Sequence, residues 1–93
     1  MLKIKIIVSG RVQGVGFRYS TQTLAKKLGI KGQVWNNDDG TVEILAQAEK
    51  SSQLILFIQK LRQGVNKFAR VDYLDQTTAN FPDFQDFTIK NIN

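Results

Sequence analysis

With 93 residues the chain can enclose one compact core but not two, so residues 1–93 are expected to form one domain carrying one site. A composition of 42% hydrophobic and 23% charged residues without low-complexity tracts excludes a disordered or fibrous chain. The net charge of +5 is uneven: Met1 to Asn37 holds seven Lys or Arg and no acid, whereas Asp38 onward holds six bases and eight acids, so the first third attracts anions.

Leu2, Ile4, Ile6 and Val8 alternate with Lys3 and Lys5, which predicts a strand with one buried face, ending at Ser9-Gly10. Beyond the segment 10–18, Thr21, Leu24, Ala25 and Leu28 recur at helical spacing, and Gly29 follows as a C-terminal cap. Gln33 to Asn36 and Thr41 to Gln47 flank the polar turn Asn37-Asp38-Asp39-Gly40, the composition of a β-hairpin with Val42, Ile44 and Ala46 facing the core. A second helix is predicted from Ser51 or Ser52, as N-cap, to Gly64 past its end. Leu54, Phe57, Ile58 and Leu61 form its apolar stripe, which Ile55 and Leu56 widen. Ala69 to Asp75 reads as a strand with Val71 and Tyr73 on one face, and Phe84 to Ile89 as a short last strand after the Pro82 turn. This βαββαβ order with an extra terminal strand predicts an α+β, ferredoxin-like two-layer sandwich, both helices covering one face of an antiparallel sheet.

The segment Gly10 to Arg18 joins the first strand to the first helix and holds three of the seven glycines. Glycine admits left-handed backbone and leaves no Cβ in the way of a ligand, so successive N–H groups can converge on an anion. The helix that follows adds free N–H groups and the positive end of its dipole. Arg18 stands where a cation opposes that dipole, a placement explained by a bound anion whose oxygens its guanidinium can grip in pairs. Arg11 shares these neighbours, whereas Lys26, Lys27 and Lys31 read as solvated surface charges. The alternative to an anion site is a flexible βα connection. Nucleotide binding is not supported, because the segment has neither G-x-G-x-x-G nor the Gly-Lys-Ser/Thr ending of a P-loop.

Ser9-Gly10-Arg11-Val12-Gln13-Gly14-Val15-Gly16-Phe17-Arg18 resembles the signature loop of the acylphosphatases. Gly32-Gln33-Val34-Trp35-Asn36-Asn37-Asp38-Asp39-Gly40-Thr41-Val42-Glu43 resembles that family's other motif, an asparagine closing a strand before an acidic-glycine hairpin. Element order and length agree across nearly the whole chain. The resemblance implies hydrolysis of a small acyl phosphate to a carboxylate and inorganic phosphate. It implies a phosphate-binding loop of Gln13, Gly14, Val15, Gly16, Phe17 and Arg18, with Arg18 closing on the phosphate and Asn36 orienting the attacking water. Trp35 and Asn37-Asp38 depart from the commoner family residues without removing a catalytic group. The neighbouring Asn37 makes the choice of Asn36 depend on alignment with Asp39-Gly40, and a slip by one would reverse the face of the sheet.

A chain with neither histidine nor cysteine can supply neither a serine–histidine nucleophile nor a thiolate, and the adjacent Asp38 and Asp39 serve the turn rather than a metal. No metal and no cofactor are expected. Acyl phosphate hydrolysis suits such a chain, because a carboxylate leaves without a general acid. Phe17, Tyr19 and Trp35 interleave with basic residues and raise a rival reading, a non-catalytic anion- or RNA-binding ferredoxin-like module. Against it, the first strand is aliphatic, the 69–75 strand carries two aspartates and no RNP1-like run occurs, so Phe17 and Tyr19 are expected to pack beside the helix. Acylphosphatase-like domains also occur within larger maturation enzymes, a setting that a free-standing 93-residue chain argues against. The apolar runs 6–8 and 54–58 are too short to cross a bilayer and no signal-peptide pattern is present, so a cytoplasmic monomer without nucleic-acid or membrane partners is expected.

Overall fold

The computed structural model describes residues 1–91. Its elements are β1 (Leu2–Arg11), α1 (Phe17–Lys27), β2 (Lys31–Asn36), β3 (Val42–Ala48), α2 (Ser51–Arg62), β4 (Arg70–Thr78) and β5 (Phe87–Ile89). They form a five-stranded sheet in the order β4-β1-β3-β2-β5 with both helices packed on it, the ferredoxin-like sandwich read from the sequence. Alternation makes the sheet two-faced. Ile6, Val8, Val34, Val42, Ile44 and Ala46 are fully buried, and against them lie Phe17, Thr21 and Ala25 of α1 and Leu54, Phe57 and Leu61 of α2. Gly29, at φ 74°, takes the left-handed step that ends α1.

Several local expectations are corrected. The cap of α2 is Lys50 rather than a serine: its N–H donates to Gln53 Oε1 at 2.9 Å, while Gln53 Nε2 donates to Leu28 O at 2.8 Å and ties α2 to the end of α1. Ile55 and Leu56 are exposed, because the sheet meets only the 54–57–61 face of α2. β4 runs three residues further than Asp75, and Val71 and Tyr73 do not share a face. Ser9 pairs with Tyr73 but Gly10 with Val71, so Asp72 is an extra residue that breaks the alternation. Val71 and Leu74 consequently pack on the core while Tyr73 is 65% exposed.

The last strand begins at Phe87 rather than Phe84. The backbone of Phe84 is engaged instead by the buried Gln47 carboxamide, Phe84 N donating to Oε1 at 2.8 Å and Nε2 donating to Phe84 O at 3.1 Å. β5 then joins the otherwise antiparallel sheet as a parallel neighbour of β2, Val34 opposite Ile89, with Lys90 N donating to Val34 O at 2.9 Å. That pairing carries the chain past β2 toward Asn91, beside the loop that precedes α1.

Candidate active site

The segment between β1 and α1 is held by its neighbours on both sides. Gln13 Nε2 donates to Asn37 O and Thr41 O, each at 2.9 Å, and so fastens the loop to the β2–β3 hairpin. From the other side Asn66 Nδ2 donates to Val15 O at 3.1 Å and to Ser20 Oγ at 3.0 Å. Gly14 and Gly16 both stand at φ 75°, a left-handed backbone that L side chains rarely adopt. The loop closes onto α1 where Ser20 N donates to Gly16 O at 3.0 Å. Among the described residues, no backbone N–H from Gln13 to Arg18 donates to a protein acceptor.

Val12, Gly14, Gly16, Phe17, Arg18, Tyr19, Ile89 and Asn91 line an open pocket of about 410 Å³ at this loop. Arg18 is half-buried there, and its Nη1 donates to Asn91 Oδ1 at 2.9 Å. A guanidinium carries five N–H donors, so others remain for a second acceptor. No acid pairs with Arg18 among the described residues, whose ion pairs are Lys3–Asp83, Lys26–Asp86 and Arg70–Asp72. The positive charge is therefore uncompensated where free amides and a helix start also favour an anion. Arg11, by contrast, is exposed at the end of β1 opposite Arg70 and does not line the pocket.

Asn36 closes β2 opposite Val42 and follows the buried Val34 at the two-residue spacing of a strand, so it lies on the face that the helices cover. Its Oδ1 is buried and, like Thr21 Oγ1, accepts no hydrogen bond from the described residues. Asn36 is not among the pocket-lining residues; two residues before it Val34 lies opposite Ile89 of β5, which leads on to Asn91, the partner of Arg18. Asn37 has a different environment. Its Nδ2 donates to Thr41 Oγ1 at 3.0 Å and Glu43 Oε1 at 3.2 Å, and its Oδ1 accepts Trp35 Nε1 at 3.0 Å. The two neighbouring asparagines thus divide the work of hairpin closure and of presenting an unpartnered oxygen.

The turn uses its acids as turn groups. Asp39 Oδ1 accepts the Thr41 hydroxyl at 2.7 Å and the Thr41 N–H at 3.0 Å, and these bonds, the hydroxyl first, hold its carboxyl below the ordinary carboxylate range. No cluster of three or more His, Cys, Asp or Glu side chains occurs among the described residues. The aromatic trio does not form one surface either: Phe17 is 1% exposed in the core, and Trp35 lies on the opposite side of β2 from Val34 with Lys90 over its ring. Tyr19, expected to pack beside the helix, is 69% exposed at the pocket because its position on α1 turns away from the sheet.

Sequence reasoning missed Asn66 and Asn91. Neither belongs to a recognised motif, and the bonds they make to the loop and α1 reach 46 to 73 residues along the chain. No helix among the described residues is long and apolar enough to cross a membrane.

The Acylphosphatase family model matches residues 4–89. The chain is 55% identical over 96 residues to the acylphosphatase of Lactococcus lactis subsp. lactis strain IL1403, covering 97% of this chain and 99% of that one. Among solved structures it is similar to the acylphosphatase from Bacillus subtilis, with 41% identity, TM-score 0.90 and coverage of 97% and 99% of the two chains. It is also similar to an acylphosphatase from Coxiella burnetii, with 30% identity, TM-score 0.88 and coverage of 96% and 92%. Together with the two-layer fold, these matches over almost the full length of both partners place the chain in the acylphosphatase family.

Proposed function

We propose that the chain hydrolyses the carboxyl–phosphate bond of small acyl phosphates, with the phosphate held by the backbone amides of residues 13–18 and by Arg18, and the attacking water held by Asn36. The observation that supports this reading is that Gly14, Gly16 and Phe17, whose amides have no protein acceptor among the described residues, line the same pocket as Arg18. The loop amides have no protein acceptor, and Arg18 meets only the neutral Asn91. Phosphoryl transfer spreads charge over the equatorial oxygens, and preorganised N–H groups with a bidentate guanidinium stabilise that charge. The carboxylate leaves with a conjugate-acid pKa of roughly 4 to 5 and needs no proton. The unpartnered Oδ1 of Asn36 supports the second half of the reading, since a buried acceptor left unmet costs about 1–3 kcal/mol and a water donating to it recovers that cost. The substrate phosphate itself can take the proton that the water loses. We read the enzyme as a cytoplasmic monomer, with the acyl phosphate as its small-molecule partner and inorganic phosphate as product.

Release of inorganic phosphate from acetyl and benzoyl phosphate, measured for the wild type and Arg18→Lys, tests this. Lysine keeps the charge but not the fork, so turnover should fall by ~10² and inhibition by inorganic phosphate should weaken at least about tenfold. A lysine variant with near-normal turnover and phosphate inhibition would remove Arg18 from the site.

A further inference from the structure

Asn66, in the segment between α2 and β4, makes four hydrogen bonds, which fill both donor and both acceptor positions of a carboxamide. Its Oδ1 accepts the backbone N–H groups of Phe68 and Ala69, each at 2.9 Å. Because those partners are donors only, the orientation of the carboxamide is fixed, and Nδ2 must face acceptors. The acceptors are Val15 O and Ser20 Oγ.

The bond to Val15 O bears directly on the phosphate loop. A trans peptide is planar, with its C=O and N–H pointing in opposite directions. Holding the Val15 carbonyl toward Asn66 therefore turns the Gly16 N–H the other way. The following peptide is held similarly, since Gly16 O accepts Ser20 N at 3.0 Å, which leaves Phe17 N–H facing away from the helix. Gly16 at φ 75° is the hinge between these two planes. A flip of the Val15–Gly16 peptide would replace a donor with a carbonyl oxygen, which repels an anion. We infer that Asn66 is a positioning residue: by anchoring the Val15 carbonyl, it aims the Gly16 N–H into the anion pocket and keeps the loop in its binding form.

This inference rests on the phosphate reading of the loop. Asn66→Asp separates it from a purely structural role, because the carboxylate still accepts Phe68 and Ala69 N–H and preserves the turn but can no longer donate to Val15 O. The experiment measures kcat, the inhibition constant of inorganic phosphate and the melting temperature for wild type, Asn66→Asp, Asn66→Ala and Arg18→Lys, each at low and high salt. Both Asn66 variants should weaken phosphate inhibition by about tenfold or more, the scale of one mis-aimed hydrogen bond to a charged ligand. The loss in the uncharged alanine variant should persist at high salt, where repulsion by a new carboxylate is screened. If either folded Asn66 variant is inhibited by phosphate like wild type at high salt while Arg18→Lys is not, the positioning role is wrong and the phosphate site stands. If Arg18→Lys is also inhibited like wild type, the phosphate reading itself fails.

Discussion

Replacing Asn36 and Asn37 one at a time should separate chemistry from stability, because their bonding differs so sharply. Asn37→Ala removes three side-chain hydrogen bonds, to Thr41, Glu43 and Trp35, at 3.0 to 3.2 Å. At about 1 kcal/mol net for each half-buried bond, the loss is roughly 3 kcal/mol. For a domain of this size each kcal/mol is worth about 4–8 °C, so the melting temperature should fall by roughly 12–24 °C. Asn36→Ala removes no side-chain hydrogen bond through Oδ1 and deletes a buried acceptor without a partner, so its melting temperature should stay within about 4 °C of wild type. Its kcat should nevertheless drop by ~10² to 10³, the usual loss when one well-placed polar group at a reacting centre is removed, with phosphate inhibition nearly unchanged. The assay is kcat with benzoyl phosphate at a temperature where both variants are folded, alongside thermal melts. A larger loss of kcat for Asn37→Ala than for Asn36→Ala would refute the assignment and shift the water-holding role by one residue, onto the other face of the sheet.

Gly16→Ala meets no clash, since its new Cβ would lie 3.7 Å from Asn66 Nδ2, but at φ 75° it should cost about 1–2 kcal/mol in backbone strain and weaken phosphate inhibition; a melting temperature and inhibition equal to wild type would show that the loop relaxes freely. Asp39, held below its ordinary pKa of 3.8 mainly by the Thr41 hydroxyl, stabilises the fold above that value and loses this contribution as pH falls through its lower folded value. Melts of wild type and Asp39→Asn should therefore differ most above about pH 5 and converge in strong acid, and a gap that widens toward acid would contradict this. Exhaustive treatment with EDTA should leave turnover unchanged, given a chain with no histidine or cysteine, and rescue of a lost rate by Mg²⁺ would overturn that expectation.

The parts of this molecule that were legible in its sequence are those written in short-range patterns. Alternation from Leu2 to Val8 places Ile6 and Val8 in the core, and the glycine-rich run before a helix falls on the pocket-lining segment between β1 and α1. What stayed hidden depends on chain segments meeting across the fold. Gln53, whose side chain caps the Lys50 N–H at the start of α2, looks like any surface glutamine, and the serines before it look like better caps. Gln47 reads as one more strand residue, yet its buried carboxamide takes the backbone of Phe84 and shortens β5. The extra residue Asp72 leaves no compositional trace and still decides that Leu74, not Tyr73, enters the core. Arg18 and Asn36 carry motif signals, whereas Asn66 and Asn91 are visible only once the backbone they touch is in place.

The interior seat of β1, between β4 and β3 and with residue 4 opposite both 46 and 78, has a kinetic consequence. Pairings that distant must wait for large loops to close, so folding should be slow for a chain of this size, and the 13–18 loop, which follows β1, is expected to take shape once that strand is paired on both sides. On the proposed phosphate reading, an ion at a hundred times its dissociation constant would stabilise the native state by about 2.7 kcal/mol. Where the pocket is completed after the rate-limiting step, all of that gain falls on the barrier to unfolding: the ligand leaves the speed of refolding untouched and lengthens the lifetime of the folded enzyme by about a hundredfold.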